Sequence, residues 1–316
     1  MRQQQNENTS KKWRFIVNPM AGGGTVRRRW PEIETQLRTA GINFDAVFTE
    51  GKYHAAALAE QAIAEGTYYL VAVGGDGTAH EVVNGIMRQT TCPTEEVTFT
   101  LLPVGTGNDW IKTYRIPKDS RKWVAYFQKS ASTMQDIGWL TYHENGQEKK
   151  RFFINVAGMS YDAYVARRSE AYKTQVSSTL FYLFLIFRCL FEFRVPRIRV
   201  KFDKRVIEKR LYTINIGICR YSGGGLQLVP HAIPDDGKLA LTLAGHISKL
   251  GVLLVTPLFY LGKIGWHPKV SLFQAEEILV ESADNQPVLV EADGEFLGEG
   301  PVRVGILKHQ LKILTA

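Results

Sequence analysis

Gly74-Gly75-Asp76-Gly77-Thr78 is the segment of this chain that is hardest to read as mere connection. Three glycines in four positions permit positive φ and let a bound group approach the main chain closely. A helix starting at Thr78 would aim its unbonded N–H groups back at the loop and make an anion site there. An aspartate among such amides repels phosphate unless a cation intervenes, so Asp76 points to a Mg²⁺-bound nucleotide. The same residues also make an ordinary tight turn, and alone they leave both readings open. A second loop of the same design, Gly105-Thr106-Gly107-Asn108-Asp109, ends the next strand-like run. Two such elbows on consecutive strands are less readily explained as turn chemistry. Asn18 and Pro19 end an earlier run and Thr49 another, which puts all of them on one edge of a sheet. No Gly-Lys-Ser/Thr is present, so this is not a P-loop, and Gly74-Gly75-Asp76-Gly77 does not fit Gly-x-Gly-x-x-Gly.

Loops of this kind need strands that deliver them side by side. Residues 13–17 form a short apolar run before a Gly22-Gly23-Gly24 loop. Trp30, Ile33 and Leu37 then recur at helical spacing up to Gly41. Residues 44–48 read as a second strand and 54–65 as an alanine-rich helix. Residues 68–73 read as a third strand, followed by the helix marked by Val82, Val83 and Ile86, and 97–102 as a fourth. Strands alternating with helices, each strand almost continuously apolar, predict a doubly wound, mostly parallel sheet covered on both faces. In such sheets ligands bind beyond the carboxyl ends of the strands, and here those ends carry the glycines.

From about Thr133 the texture changes to short strand-like runs, near 152–156, 197–202, 211–218, 239–243, 270–273, 278–280 and 288–290. Turn signals separate them at Asn145-Gly146, Gly223-Gly224-Gly225 and Asp236-Gly237. These predict an antiparallel β-sandwich domain. The expected organisation is a disordered tail at 1–12, a nucleotide-binding α/β domain at 13–136 and a β-rich substrate domain at 137–301. Residues 302–316 are expected to pack back on the first domain.

The 316 residues carry 39 basic and 31 acidic side chains, a net charge of +8, which favours an anionic partner. Cys92, Cys189 and Cys219 show no metal-ligand spacing and are odd in number, which fits a reducing compartment. The N-terminal dozen residues contain no apolar core of a signal peptide. The longest apolar run, residues 180–187, is too short for a bilayer span.

Asn18-Pro19-Met20-Ala21-Gly22, Gly74–Thr78 with Glu81, and Pro103-Val104-Gly105-Thr106-Gly107-Asn108-Asp109 together resemble the diacylglycerol kinase catalytic-domain family, the soluble bacterial lipid kinases related to sphingosine and ceramide kinases. The likeness continues through Gly158 with Asp162-Ala163, Pro230-His231-Ala232 with Asp235-Asp236-Gly237, and Asp293-Gly294-Glu295. The Gly-Gly-Asp-Gly-Thr element alone is shared with NAD kinases and is similar to a loop in phosphofructokinases. The resemblance implies an ATP- and Mg²⁺-dependent lipid kinase of phospholipid metabolism, cytoplasmic and peripheral at the membrane. It places the nucleotide on Asn18, Pro19, Gly22, Thr49, Gly74, Gly75, Asp76, Gly77, Thr78, Glu81, Gly105, Thr106 and Asn108. It makes Asp76 the Mg²⁺ ligand and Glu295 the proton acceptor. It also implies a structural metal at Asp236 with the carbonyls of Ile233 and Lys238.

The chemistry is coherent with that. Phosphoryl transfer demands positioning and charge neutralisation, and a lipid hydroxyl must lose its proton as it attacks. A carboxylate such as Glu295 after Gly294 suits that need, though the same residue also reads as a solvated turn glutamate, and Asp162 or Asp76 are alternative bases. Arg197, Arg199 and Lys201 put three cations on one strand face, read as a solvated face or as a patch for anionic headgroups. Arg27-Arg28-Arg29 and Lys149-Lys150-Arg151 are weaker versions of the same idea. The aromatic segment 180–193 and the apolar segment 250–261 read as buried helices, an acyl-chain lining or an interfacial element. Expected partners are a lipid substrate and a transient anionic membrane surface, with no nucleic acid, and any oligomer is expected to be a homodimer. The rival readings are an NAD kinase relative acting on a soluble nucleotide and a non-catalytic lipid or nucleotide sensor.

Overall fold

The structure, a computed structural model, describes residues 7–105, 108–170 and 179–315. Thr106 and Gly107 lie outside them, as do residues 1–6 of the expected tail; in the aromatic segment the side chains of Phe181, Tyr182 and Phe184 are likewise not described. The chain divides into two compact units, residues 1–135 with 309–316, and residues 136–308.

The first unit begins with α1 (Glu7–Ser10), β1 (Trp13–Val17), α2 (Ala21–Thr39), β2 (Phe44–Phe48), α3 (His54–Ala64) and β3 (Tyr69–Gly74). It continues through α4 (Asp76–Arg88), β4 (Thr98–Pro103), α5 (Trp110–Tyr114), α6 (Ser120–Lys129) and the start of β5 (Ala131–Glu144). β2, β1, β3 and β4 lie side by side in that order, every pair parallel. Residues 312 and 313 add a further parallel partner beyond β4, Lys312 facing Thr98 and Ile313 facing Phe99. Every residue of β4 is buried, as are all but the first of β3, whereas the edge strand β2 is mostly open. That is why the central strands read as unbroken apolar runs. β2 was added on one side of β1 and β3 on the other, so the direction of winding reverses at β1. The loops after β1 and β3 therefore flank a topological switch point.

The expected disordered tail is corrected over residues 7–10. α1 is held by Asn8, whose Nδ2 donates to the carbonyls of Phe127 and Ser130, while the Trp13 indole N–H donates to the Asn8 carbonyl. The polar composition hid this because the anchor is a single buried amide. The return of the C-terminus is also shorter than the expected 302–316. Residues 302–305 pair within the second unit, and residues 309–315 belong to the first, where the Tyr126 hydroxyl donates to the Leu314 carbonyl.

The second unit takes in the rest of β5, then β6 (Gln147–Phe153), β7 (Val156–Ser160), α7 (Tyr161–Glu170), α8 (Thr179–Glu192), β8 (Arg197–Phe202) and β9 (Arg205–Gly217). After the small hairpin of β10 (Tyr221–Ser222) and β11 (Leu226–Gln227) come β12 (Leu239–Gly245), α9 (Lys249–Tyr260), β13 (Val270–Ala275), β14 (Glu277–Ser282), β15 (Leu289–Ala292) and β16 (Glu295–Thr315). Six of its strands close an antiparallel ring: β9 to β7, β15, β16, β14, β8 and back to β9. Two long strands make the closure. β9 pairs with β8 through residues 205–210 and with β7 and β12 from Leu211 onward, and β16 changes partner from β15 to β14. The first half of β9 is largely open and the second half wholly buried, so one strand serves two environments.

Candidate active site

In the first unit the loops after β1, β3 and β4 meet. Asn18 Oδ1 accepts the Met20 N–H at 3.1 Å, and its Nδ2 donates to Thr78 Oγ1 at 3.1 Å, which ties the first loop to the opening turn of α4. Gly74 makes room for that hydroxyl, since a Cβ there would overlap Thr78 Oγ1. Gly22, Gly23 and Gly24 have φ of +61°, +63° and +79°, left-handed values open to glycine at little strain. A Cβ on Gly22 would come within 3.1 Å of the Gly105 Cα, so the first and third loops touch backbone to backbone. The first turn of α4 presents main-chain N–H groups that no helical carbonyl reaches, a ready anion site. Arg28, read from the sequence only as part of a basic run, folds back here, its Nη2 on Thr25 Oγ1 at 3.0 Å.

Asp76 looks inward. Its Oδ2 accepts the N–H groups of Asn108 (2.9 Å) and Asp109 (2.7 Å), and its Oδ1 that of Trp110 (3.3 Å). The carboxylate thus clips the third loop and the start of α5 to the head of α4. Asn108 sits at φ +76° within the clip, and its buried Oδ1 has no hydrogen-bond partner among the described residues. Asp109 is buried against Lys112 at 2.7 Å. Glu81 is turned to another task, its Oε2 accepting the Ala55 N–H near the start of α3. Thr49 continues the pairing of β1 and β2 by donating its N–H to Val17, and the Pro19 carbonyl accepts the Arg27 N–H.

The second unit contains a parallel construction. Asp293 Oδ2 accepts the Ile154 N–H at 3.0 Å, while Oδ1 accepts those of Asn155 (2.9 Å) and Val156 (3.2 Å). The clip holds the turn in which Asp293 and Gly294 have φ of +51° and +85°. Glu295, next in the chain, is buried, and its Oε2 has no partner among the described residues. Beneath the turn lies Glu291, whose Oε2 accepts the Gly294 N–H at 2.8 Å. Burial raises the Glu291 carboxyl well above the carboxylate range, with Asp162 and Asp293 adding repulsion. Gly158 makes that packing possible, because a Cβ there would overlap Glu291 Oε1. Asp162 takes the Thr213 hydroxyl, and burial pushes its carboxyl up to about 6 against the lowering effect of Thr213 and Asn215. Asp293 and Glu291 were the residues that sequence reasoning gave no role. The signal for Glu291 was a charged residue inside an otherwise apolar strand.

The donor sets can be tested against a divalent cation. A carboxylate offers about four lone-pair directions, and three N–H groups already lie on those of Asp76. With the orphan Asn108 oxygen it fits a Mg²⁺ that arrives on phosphates and keeps its waters. Asp236 already accepts the Lys238 N–H at 3.0 Å and the Gln274 amide at 3.1 Å. Among the described residues no three His, Cys, Asp or Glu side chains converge on a metal position. A cation at this turn would depend on main-chain carbonyls such as those of Ile233 and Lys238.

Fold and site define a two-unit α/β protein with glycine-lined loops meeting on a parallel sheet and a buried acidic turn in an antiparallel unit. The diacylglycerol kinase catalytic domain matches residues 12–140, and the YegS C-terminal NAD kinase beta sandwich-like domain matches residues 155–315. The chain belongs to the diacylglycerol kinase catalytic-domain family and is a kinase. It is 29% identical over 313 residues to a diacylglycerol kinase of Staphylococcus carnosus, covering 96% of this chain and 95% of that one. It is 28% identical over 304 residues to a diacylglycerol kinase of Staphylococcus haemolyticus, with 96% and 87% covered. In fold it is similar to the crystal structure of a putative diacylglycerol kinase from Bacillus anthracis, with a TM-score of 0.74, 20% identity and 97% of each chain covered.

Proposed function

We propose that the chain transfers the γ-phosphate of ATP to a hydroxyl group of a lipid such as diacylglycerol. The observation that carries the reading is the meeting of three loops at the switch point, with Gly22 against Gly105 and Asp76 clipping the third loop to α4. The shape suits a triphosphate held by main-chain N–H groups, and the names of the relatives favour a lipid acceptor. In this reading Asn18, Pro19, Gly22, Thr49, Gly74 to Thr78, Gly105 and Asn108 line the nucleotide, and Glu81 supports it through α3. Asp76 and the Asn108 oxygen would hold Mg²⁺, which when bound neutralises charge on the phosphates.

Glu295 takes the acceptor's proton. As the lipid oxygen bonds to the γ-phosphorus, the bond from that phosphorus to the bridging oxygen breaks, ADP leaves with the electron pair, and the hydroxyl proton passes to the carboxylate. Its partnerless oxygen supports the role, because a base already bound to N–H groups would be a poorer one. The Asp236 turn is proposed as a structural cation site with the carbonyls of Ile233 and Lys238. The test is incubation with γ-labelled ATP, Mg²⁺ and a total lipid extract. Label in a phosphorylated lipid is expected, and label confined to water-soluble products overturns the reading.

A further inference from the structure

Helix α9, Lys249–Tyr260, has a single charged residue and is apolar on two faces. One face is accounted for. Val252 and Leu253 pack on the cluster of Tyr161, Val165, Leu185, Cys189, Leu190 and Tyr212, while Val255 packs with Ala244, Ile264 and Val270. The other face points outward. Leu250, Leu254 and Leu261 are 67%, 73% and 63% exposed, and they fall within about 40° of one another on the helix. Trp266, in the turn anchored by the buried Ile264, is 73% exposed, and Phe191 at the end of α8 is 62% exposed. A stretch of 10–14 apolar residues is too short to span a bilayer and is usually a core or an interfacial element, and half of this one is not core. Among the described residues no helix is long and apolar enough to cross a membrane.

The charge around this face says what covers it. Residues 238–275 contain four lysines and no aspartate or glutamate. The Lys263 ammonium lies 4.5 Å from the Trp266 ring centroid, Lys249 donates to the Phe191 carbonyl, and Lys269 donates to the His246 carbonyl at 2.9 Å. None of the three meets a carboxylate among the described residues. Long cationic side chains beside exposed leucines and a tryptophan suit the boundary between acyl chains and anionic headgroups. A second copy of the chain is disfavoured, because a two-fold interface through this face would set lysines against lysines.

We infer that the outward face of α9, with the Trp266 turn and Phe191, is a docking surface for an anionic phospholipid bilayer. The inference concerns binding and needs no nucleotide, so it is tested apart from the kinase reading. Full-length protein without ATP is floated with vesicles of equal parts phosphatidylglycerol and phosphatidylcholine, and with pure phosphatidylcholine vesicles. Binding to the mixed vesicles is expected, weaker on the neutral ones and weakened by salt. Leu254→Asp should lower the partition by at least about tenfold. Lys263→Gln, a surface change that leaves packing alone, should lower it by about fivefold and flatten the salt dependence. Both variants should keep the wild-type melting temperature and the wild-type rate on detergent-dispersed diacylglycerol. Unchanged vesicle binding by both variants overturns the inference. So does a wild-type dimer in lipid-free solution that Leu254→Asp converts to monomer, because the face then belongs to a second copy. Vesicle binding without phosphorylation of any lipid would sink the kinase reading and leave this one standing.

Discussion

Asp76 in the first unit and Asp293 in the second are built the same way, each carboxylate gathering three consecutive main-chain N–H groups, 108–110 in one case and 154–156 in the other. Neither is primarily a free reactive group. Both convert a flexible glycine turn into a fixed one, because charge-assisted bonds to the main chain are strong and directional. The units differ in what the fixed turn presents. In the first it presents the buried Asn108 amide oxygen, an acceptor without a hydrogen-bond partner among the described residues. In the second it presents Glu295, a buried carboxylate with one oxygen lacking a partner among the described residues. An acidic motif in the sequence can therefore be a clamp, a reagent or both, and only its hydrogen bonds tell which.

The comparison can be broken most directly at Glu295. Glu295→Gln should lower kcat by about 10²–10⁴-fold with ATP binding intact, measured by steady-state kinetics and nucleotide titration. Near-normal turnover would return Glu295 to being a turn residue. Next in size, Asp293→Asn should lose about 2–4 kcal/mol of stability, because three N–H groups face a weaker acceptor with one edge reversed. Calorimetry would read that loss, and kcat should fall with it. Asp76→Asn should instead raise the Kd for nucleotide more than it lowers the melting temperature.

Two glycines sharpen the contrast further. Gly22→Asn places a Cβ against Gly105 and should weaken ATP binding by about tenfold. Gly294 has φ +85°, and a Cβ added there would meet nothing within 4 Å, so Gly294→Asn should cost less than about 1 kcal/mol. A further effect concerns pH. The ordinary Asp162 value is 3.8 and burial takes it to about 6 in the folded chain, so the native state binds the proton more tightly. Its stabilising contribution is complete below about pH 4 and is lost as pH rises through about 6, by up to about 3 kcal/mol. The difference in melting temperature between wild type and Asp162→Asn should therefore change over that range and stay flat above it.

Much of the frame was legible in the amino acids. The glycine loops, the alternation of strands and helices, and the change of texture after Thr133 depend on local rules: which residues tolerate positive φ, and which runs are apolar enough to be buried. The same rules missed α1, because one buried asparagine outweighed a polar composition. They also missed α5 and α6, short helices that follow the third loop, and they began the C-terminal return at 302, where the chain makes it from 309. Glu291 was passed over because a lone acid in a strand looks like a solvated side chain until Gly158 is seen to leave it space.

The order of residues along the chain determined that Asp76 and Glu295 would each stand in a glycine turn, since backbone freedom is a property of the turn itself. It did not determine their partners. The N–H groups that Asp76 holds lie more than thirty residues away, and those of Asp293 nearly 140. Contacts over such separations exist only once the sheets have formed. Folding decided which acid became a clamp and which kept an open edge, because hydrogen bonding depends on where groups meet in space.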